Sequence, residues 1–136
     1  MNVRKVIIGC VVGGSVICII GTAISVRNTR EQDKYDKTWR ELASFSSAFR
    51  EHGFGIDYPP TSLESAVEAL RNDPRLREWM RVNCAGMQTG RDYWGNKLVY
   101  QVDHGAAKVI LRSIGPNGRD ELGEGDDIEV ECLLFQ

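Results

Sequence analysis

The chain has 136 residues, with 17 Lys and Arg against 19 Asp and Glu, so its formal net charge is only -2. This length fits one domain of ordinary size. The basic residues form neither a stripe nor a cluster, and the sequence therefore argues against a nucleic-acid partner.

An uncharged N-terminal segment predicts a membrane anchor. Arg4 and Lys5 are followed by residues 6–26, none of which is charged. As a helix this run would be about 31 Å long, which is enough to cross the hydrocarbon core of a bilayer. We therefore expect residues 1–26 to be a single-pass anchor with its N-terminus in the cytoplasm, and residues 27–136 to be the exported domain.

Two other interpretations of this segment remain open. The small residues of Ala23-Ile24-Ser25 are typical of a signal-peptidase site, which would make the segment a cleaved signal peptide. Ile7-Ile8-Gly9-Cys10 has the form of a lipobox, although the apolar region before its cysteine is short for a secretory signal. In an anchor, Gly9, Gly13 and Gly14 would form a small-residue face on which another helix can pack closely.

The first predicted helix of the exported domain starts near Asp33 and continues the membrane segment outward. Its apolar residues recur three or four positions apart, which is the period of an amphipathic helix. Gly53 is a natural C-terminal cap for this helix. The residues predicted to face the core are Trp39, Leu42, Phe45 and Phe49.

Two shorter helices are predicted next. Thr61-x-x-Glu64 has the pattern of a capping box, and Asp73-Pro74 has the pattern of a helix start. The predicted buried residues are Leu63, Val67 and Leu70 in the first of these helices, and Leu76, Trp79, Met80 and Val82 on the apolar side of the second.

Three strands are predicted at the C-terminal end, at residues 97–102, 108–114 and 128–135. Each run is rich in apolar residues, and turn-forming residues separate them. Helices that precede such a run of strands favour packing on one face of an antiparallel sheet. The predicted fold class is therefore α+β, with a transmembrane helix that continues into a long amphipathic helix, two short helices and a three-stranded antiparallel β-sheet.

The stretch between the last two predicted strands, residues 113–128, combines glycines with carboxylates and is called the acidic loop below. So long a connection is uncommon unless it is functional or disordered. Its carboxylates would repel one another unless a cation lay among them, and a glycine-rich loop can turn oxygens toward calcium. The spacing is not that of an EF-hand, and a solvated hairpin loop remains the alternative. The acidic residues are Asp120, Glu121, Glu124, Asp126 and Asp127.

Two cysteines, Cys84 and Cys132, belong to the predicted exported domain. In an oxidising compartment they could form a disulfide, and the alternative is two small buried residues. The two histidines, His52 and His104, lie far from any Cys-x-x-Cys pair, so a tetrahedral zinc site cannot be assembled.

Three motifs point to a known family. Tyr58-Pro59-Pro60-Thr61 precedes an L-x-x-A-x-x-A-L run at residues 63–70, and Asp92-Tyr93-Trp94-Gly95-Asn96 forms a compact aromatic turn. Residues 113–118 and 123–128 read S-I-G-P-N-G and G-E-G-D-D-I. These segments resemble the Y-P-T…L-x-A-L, D-P-W-G-N and S-L-G-A-D-G…G-G-E-G…D-I motifs of the major pseudopilin of type II secretion, within the type IV pilin-like family.

The resemblance implies a calcium ion in the acidic loop. In that family the ion stabilises the C-terminal domain and assists assembly of a periplasmic pseudopilus. By position, Asp127 matches the last aspartate of the family's loop, and Asn117 stands in place of the first. Asp120 is an extra acidic residue that would compensate for the neutral Asn117. The implied calcium ligands are Asn117, Asp120, Asp126, Asp127 and backbone oxygens near Ile114 and between Arg119 and Leu122.

The resemblance also implies a role in assembly. We expect a pseudopilin-like structural component of a type II secretion or type IV pilus-like apparatus, with a single span in the bacterial inner membrane. Its C-terminal domain would lie in the periplasm or outside the cell and would contact other pilin-like or secretion-system subunits, including copies of itself. The family's G-F-x-x-x-E processing motif is missing from residues 3–14, which predicts that the prepilin peptidase does not cut the chain.

Two other functions are alternatives to assembly. The missing processing motif favours the first, a stand-alone calcium-dependent binding module outside the cytoplasmic membrane. The second is an enzyme, which usually needs a nucleophile beside a base or paired carboxylates in a cleft. His52 and His104 fall at a predicted helix end and a turn, and the acidic residues concentrate in one loop, so no enzyme is predicted.

Overall fold

The computed structural model describes the backbone of residues 16–135 and the side chains of residues 29–135. The predicted α+β class is confirmed, because three helices precede a three-stranded antiparallel sheet. A short 3-10 helix (Gly86–Thr89) lies in the segment before the strands. The helices are α1 (Val16–His52), α2 (Leu63–Asn72) and α3 (Arg77–Asn83), and the strands are β1 (Val99–Asp103), β2 (Lys108–Ser113) and β3 (Ile128–Leu133).

Much of the predicted membrane anchor lies outside the described residues. Residues 1–15, which include Gly9, Gly13 and Gly14, belong to that part. None of the helices within residues 16–135 combines the length and the apolar composition needed to cross a bilayer. The chain divides into two compact units, Met1–Glu31 and Gln32–Gln136, and the second contains the sheet and the acidic loop.

The apolar stripe of α1 supplies the centre of the core. Leu42, Phe45 and Phe49 are fully buried, as predicted. Trp39 was predicted to join them and does not, since 58% of its surface is exposed. Thr38, only 2% exposed, occupies the buried stripe one turn before Leu42. Trp39 lies about 100° further round the helix, which places it outside the stripe.

The shorter helix α2 buries the face predicted for it, whereas α3 buries a narrower face than predicted. In α2, Leu63, Val67 and Leu70 are buried as expected, and the cap is formed by Ser62 and Ser65 rather than by Thr61 and Glu64. The buried residues of α3 and of its two caps fall in a single row of one residue per turn. That row is Leu76, Met80 and Cys84, whereas Trp79 and Val82 are 45% and 60% exposed, contrary to prediction.

The sheet has the order β1-β2-β3, with the central strand paired on both sides. Val109 and Leu111 of β2 are fully buried and belong to the same core as the α1 stripe. The side chain of Ser46 donates a 2.9 Å hydrogen bond to the backbone oxygen of Glu131, which ties α1 to strand β3. Because β2 and β3 are adjacent and antiparallel, the acidic loop is the hairpin connection between them.

A buried carboxylate, that of Asp73, joins the end of α1 to the turn between α2 and α3. Asp73 was predicted to start α3, but it is the C-cap of α2, and Leu76 is the N-cap of α3. The side chain of Asp73 is only 7% exposed, and its Oδ2 lies 3.0 Å from His52 Nδ1. It accepts a 2.9 Å hydrogen bond from the backbone N–H of Arg75, whose guanidinium also donates to it at 2.8 Å. These hydrogen bonds from Arg75, with that from His52, hold the pKa of Asp73 well below its usual range.

We predict that Asp73 makes the fold acid-sensitive. Because its pKa is depressed in the folded state, its stabilising contribution is present above the unfolded value of about 3.9 and is lost as the pH falls through the folded value. Asp73→Asn should therefore lower stability at pH 7 and flatten the loss of stability below about pH 5. Urea unfolding from pH 7 to pH 3 measures both, with exposed Asp57→Asn as control. Equal slopes for wild type and Asp73→Asn would contradict the prediction.

The two cysteines of the second unit are free and buried, so the predicted disulfide is not formed in this structure. Cys84 ends the buried row of α3, and Cys132 lies on the core face of β3. The alternative, two small buried residues, describes them. Burial raises the pKa of the Cys84 thiol to about 12 and that of Cys132 to about 11.

Both thiols are expected to resist alkylation in the folded protein, since the reactive thiolate is disfavoured and access is blocked. In urea without reductant, both should react fully with iodoacetamide. Peptide mass spectrometry separates these sites from Cys10 and Cys18. A peptide pair linked through Cys84 and Cys132 would contradict the expectation.

Candidate metal site

Glycines allow the acidic loop to fold back on its own carboxylates. Gly115 has φ +60°, and a Cβ atom there would overlap the backbone oxygen of Asp126. Gly125 has φ +64°, and a Cβ atom there would overlap the carboxylate of Glu121. Both positions combine a left-handed backbone with a close approach, which only glycine tolerates.

Three carboxylates converge in this loop. Glu121, Asp126 and Asp127 each offer an oxygen within 4.8 Å of the others. Asp126 and Asp127 are among the ligands that the family resemblance implied, whereas the side chain of Glu121 is not. Glu121 is one of the five acidic residues of the loop, but spacing alone gave no reason to prefer it to Asp120.

The other predicted ligands occupy different positions. Asn117 bonds to Asp126, whose Oδ2 accepts a 3.0 Å hydrogen bond from the Asn117 backbone N–H and whose Oδ1 accepts from the side-chain amide. Asp120 is not in the cluster and instead contacts Arg112. Ile114 follows the last residue of β2 directly and is partly buried.

Asp127 is the most constrained of the three carboxylates. Its side chain is fully buried, and its Oδ2 accepts hydrogen bonds from the backbone N–H groups of Glu121 at 2.9 Å and Gly123 at 3.0 Å. No hydrogen-bond donor within residues 29–135 reaches its other oxygen, Oδ1, which is also buried. A buried carboxylate oxygen without a donor is unfavourable, and a hard cation is one group that would satisfy it.

Arg112 lies beneath the loop and is only 3% exposed. Its Nε lies 2.9 Å from Asp120 Oδ1 and 3.7 Å from Asp127 Oδ2, and one terminal nitrogen lies 2.5 Å from Glu129 Oε2. The guanidinium therefore contacts three carboxylates at once. Its hydrogen bonds hold the pKa of Asp120 below its usual value.

The aromatic turn at residues 92–96 supports the base of the loop. The side-chain amide of Asn96 donates a 2.7 Å hydrogen bond to the backbone oxygen of Gly115, and Ser113 Oγ donates at 2.7 Å to Asp92. Asp92 also accepts from the backbone N–H of Trp94 at 3.0 Å. Two of the motifs found in the sequence are thus in direct contact, which spacing along the chain could not predict.

The histidines lie away from this cluster. His104 is exposed in the turn between β1 and β2, and His52 pairs with Asp73. The donor set of the loop is all oxygen, which fits calcium or another hard cation better than zinc.

A comparison of the chain with protein-family models, curated proteins and solved structures finds no match.

Proposed function

We propose that the protein is a membrane-anchored, pseudopilin-like structural component of a type II secretion or type IV pilus-like apparatus, with a calcium site in the acidic loop. The observation that carries the proposal is the convergence of Glu121, Asp126 and Asp127, together with the buried and unsatisfied Oδ1 of Asp127. The order of elements supports it as well, since a long helix precedes a sheet whose last hairpin holds the loop.

In this proposal Glu121, Asp126 and Asp127 hold the ion, and calcium supplies the charge that their mutual repulsion calls for. Asn117 assists by donating to Asp126, which turns that carboxylate toward the loop. Calcium tolerates irregular geometry and high coordination numbers, so a loop built on glycine turns suits it. The ion would join the middle of the hairpin loop to its C-terminal end and stiffen this end of the domain.

Assembly would use the side of α1 that does not cover the core. Exposed residues along this side include Asp36, Arg40, Ser47 and Arg50. A photo-crosslinking amino acid at Ser47, in cells that express the protein at its natural level, should give a ladder of self-adducts or adducts with other pilin-like subunits. The same amino acid at exposed Gln101, on edge strand β1, is the matched control and should give fewer adducts.

A stand-alone calcium-dependent binding module remains the second candidate. The missing G-F-x-x-x-E motif favours it, although the residues concerned lie outside the described range. Adducts with one unrelated protein, and none with pilin-like subunits or with itself, would favour this module over the assembly proposal. Crosslinks at Ser47 and Gln101 in equal yield would argue against a role for α1 in assembly.

A further inference from the structure

We infer that Arg112 is a resident cation that closes the acidic loop from beneath, so that the loop folds without depending on calcium. The part of the inference that concerns calcium rests on the proposed function. Arg112 is the second-to-last residue of β2, the strand that enters the loop, and is almost fully buried. Its backbone therefore belongs to the sheet, and its side chain contacts the loop.

Two carboxylates, those of Asp120 and Glu129, pair with the Arg112 guanidinium. Asp120, from the middle of the loop, pairs with Arg112 through two contacts, at 2.9 Å and 3.1 Å. Glu129, on the partner strand, is directly opposite Arg112 in the register and pairs with it at 2.5 Å. One planar fork thus joins the loop to both of its flanking strands, a geometry that arginine provides and lysine does not.

Arg112 also contacts one of the candidate ligands, Asp127. Its Nε lies 3.7 Å from Asp127 Oδ2, the oxygen that accepts from the backbone N–H groups of Glu121 and Gly123. The positive charge thus lies behind one oxygen of Asp127, while Oδ1 is left without a donor. Arg112 is therefore a positioning residue, because it orients a ligand without belonging to the carboxylate cluster.

The consequence is that Arg112 and calcium stabilise the same folded loop. With Arg112 in place, part of the carboxylate repulsion is already offset, and calcium adds to a loop that is closed. Without Arg112, the carboxylates repel one another, and the ion-pair network loses the cation that Asp120, Asp127 and Glu129 share. Loop closure should then require calcium.

Hydrogen–deuterium exchange of the full-length protein in detergent tests the inference, because most loop amides are hydrogen-bonded. In EDTA, Arg112→Gln should exchange at least about tenfold faster than wild type across residues 117–127, the factor expected when hydrogen bonds to a charged group are lost. Millimolar calcium should restore slow exchange in the variant. The backbone N–H groups that report on the loop are those of Asn117, Arg119, Glu121, Leu122, Gly123, Glu124, Asp126 and Asp127.

Lys108→Gln is the matched control. Lys108 lies four residues before Arg112, on the same face of β2. It also forms an ion pair with a glutamate of β3, Glu131. Its loss should leave exchange in the loop unchanged. Equal effects of the two variants would mean that any ion pair on β2 matters, and would overturn the inference.

Two further outcomes would also overturn it. One is an Arg112→Gln loop that exchanges in EDTA as slowly as the wild type does. The other is fast exchange that calcium fails to slow, although the wild-type chain binds calcium. If Arg112→Gln does not fold, Arg112→Lys takes its place, because lysine keeps a positive charge but cannot pair with Asp120 and Glu129 through one planar fork. This variant should exchange faster than the wild type in EDTA, and calcium should slow it. If the wild type binds no calcium, the calcium site of the proposed function is refuted. The difference in exchange rate between wild type and Arg112→Gln in EDTA would still decide whether Arg112 closes the loop.

Discussion

Replacing Phe45 with alanine is expected to lower the free energy of unfolding by about 3–5 kcal/mol, the cost of deleting a large aromatic side chain from a core. Phe45 is fully buried and contacts Phe49 at a ring-centroid distance of 6.0 Å. It belongs to the core cluster that also contains Val109 and Leu111 of the sheet. Its loss therefore leaves a cavity at the junction of helix and sheet. Urea unfolding of the full-length protein in detergent measures the effect.

The matched control is Trp39→Ala on the same helix. Trp39 has a larger side chain but is 58% exposed, so its removal should cost less than about 1 kcal/mol. A loss at Trp39 equal to that at Phe45 would contradict the placement of the two residues.

Replacing Asp127 with alanine should produce the second large effect, a loss of about 1–3 kcal/mol in EDTA. The substitution leaves the backbone N–H groups of Glu121 and Gly123 without their acceptor and removes one carboxylate beside Arg112. The same urea titration applies, with Glu124→Ala as the control. Glu124 is exposed in the same loop and is not one of the three clustered carboxylates.

A change of less than about 0.5 kcal/mol for Asp127→Ala, the range of ordinary surface substitutions, would contradict the central place given to Asp127. An equal loss for Glu124→Ala would mean that the loop responds to its total charge rather than to particular contacts.

The order of helices and strands could be predicted from the sequence because each element carries its own periodicity. Leu42, Phe45 and Phe49 recur at the helical period and are all fully buried. The exact edge of each buried face was harder to predict. Trp39 is the more apolar residue, yet Thr38 falls on the line that faces the core. Which of two neighbouring positions is buried depends on how α1 is rotated against the rest of the domain.

The candidate site was only partly predictable for a related reason. The family resemblance implied Asp126 and Asp127 as ligands, and both belong to the cluster of three carboxylates. Choosing between Asp120 and Glu121 required knowledge of Arg112, which precedes the loop and draws Asp120 away. Arg112 itself looked like an ordinary polar residue of a strand. Its burial arises from the loop that folds over it, which no local pattern records.

The most direct test of the proposed calcium site is a thermal unfolding series of the full-length protein with increasing calcium. Wild type and Glu124→Gln should be stabilised by about 2.7 kcal/mol when calcium reaches a hundredfold excess over its dissociation constant. Glu121→Gln keeps the size of the side chain, removes one clustered charge, and should lose most of that gain. If calcium leaves the unfolding temperature of the wild type unchanged, the acidic loop is held by Arg112 and its own hydrogen bonds, and the calcium site is refuted.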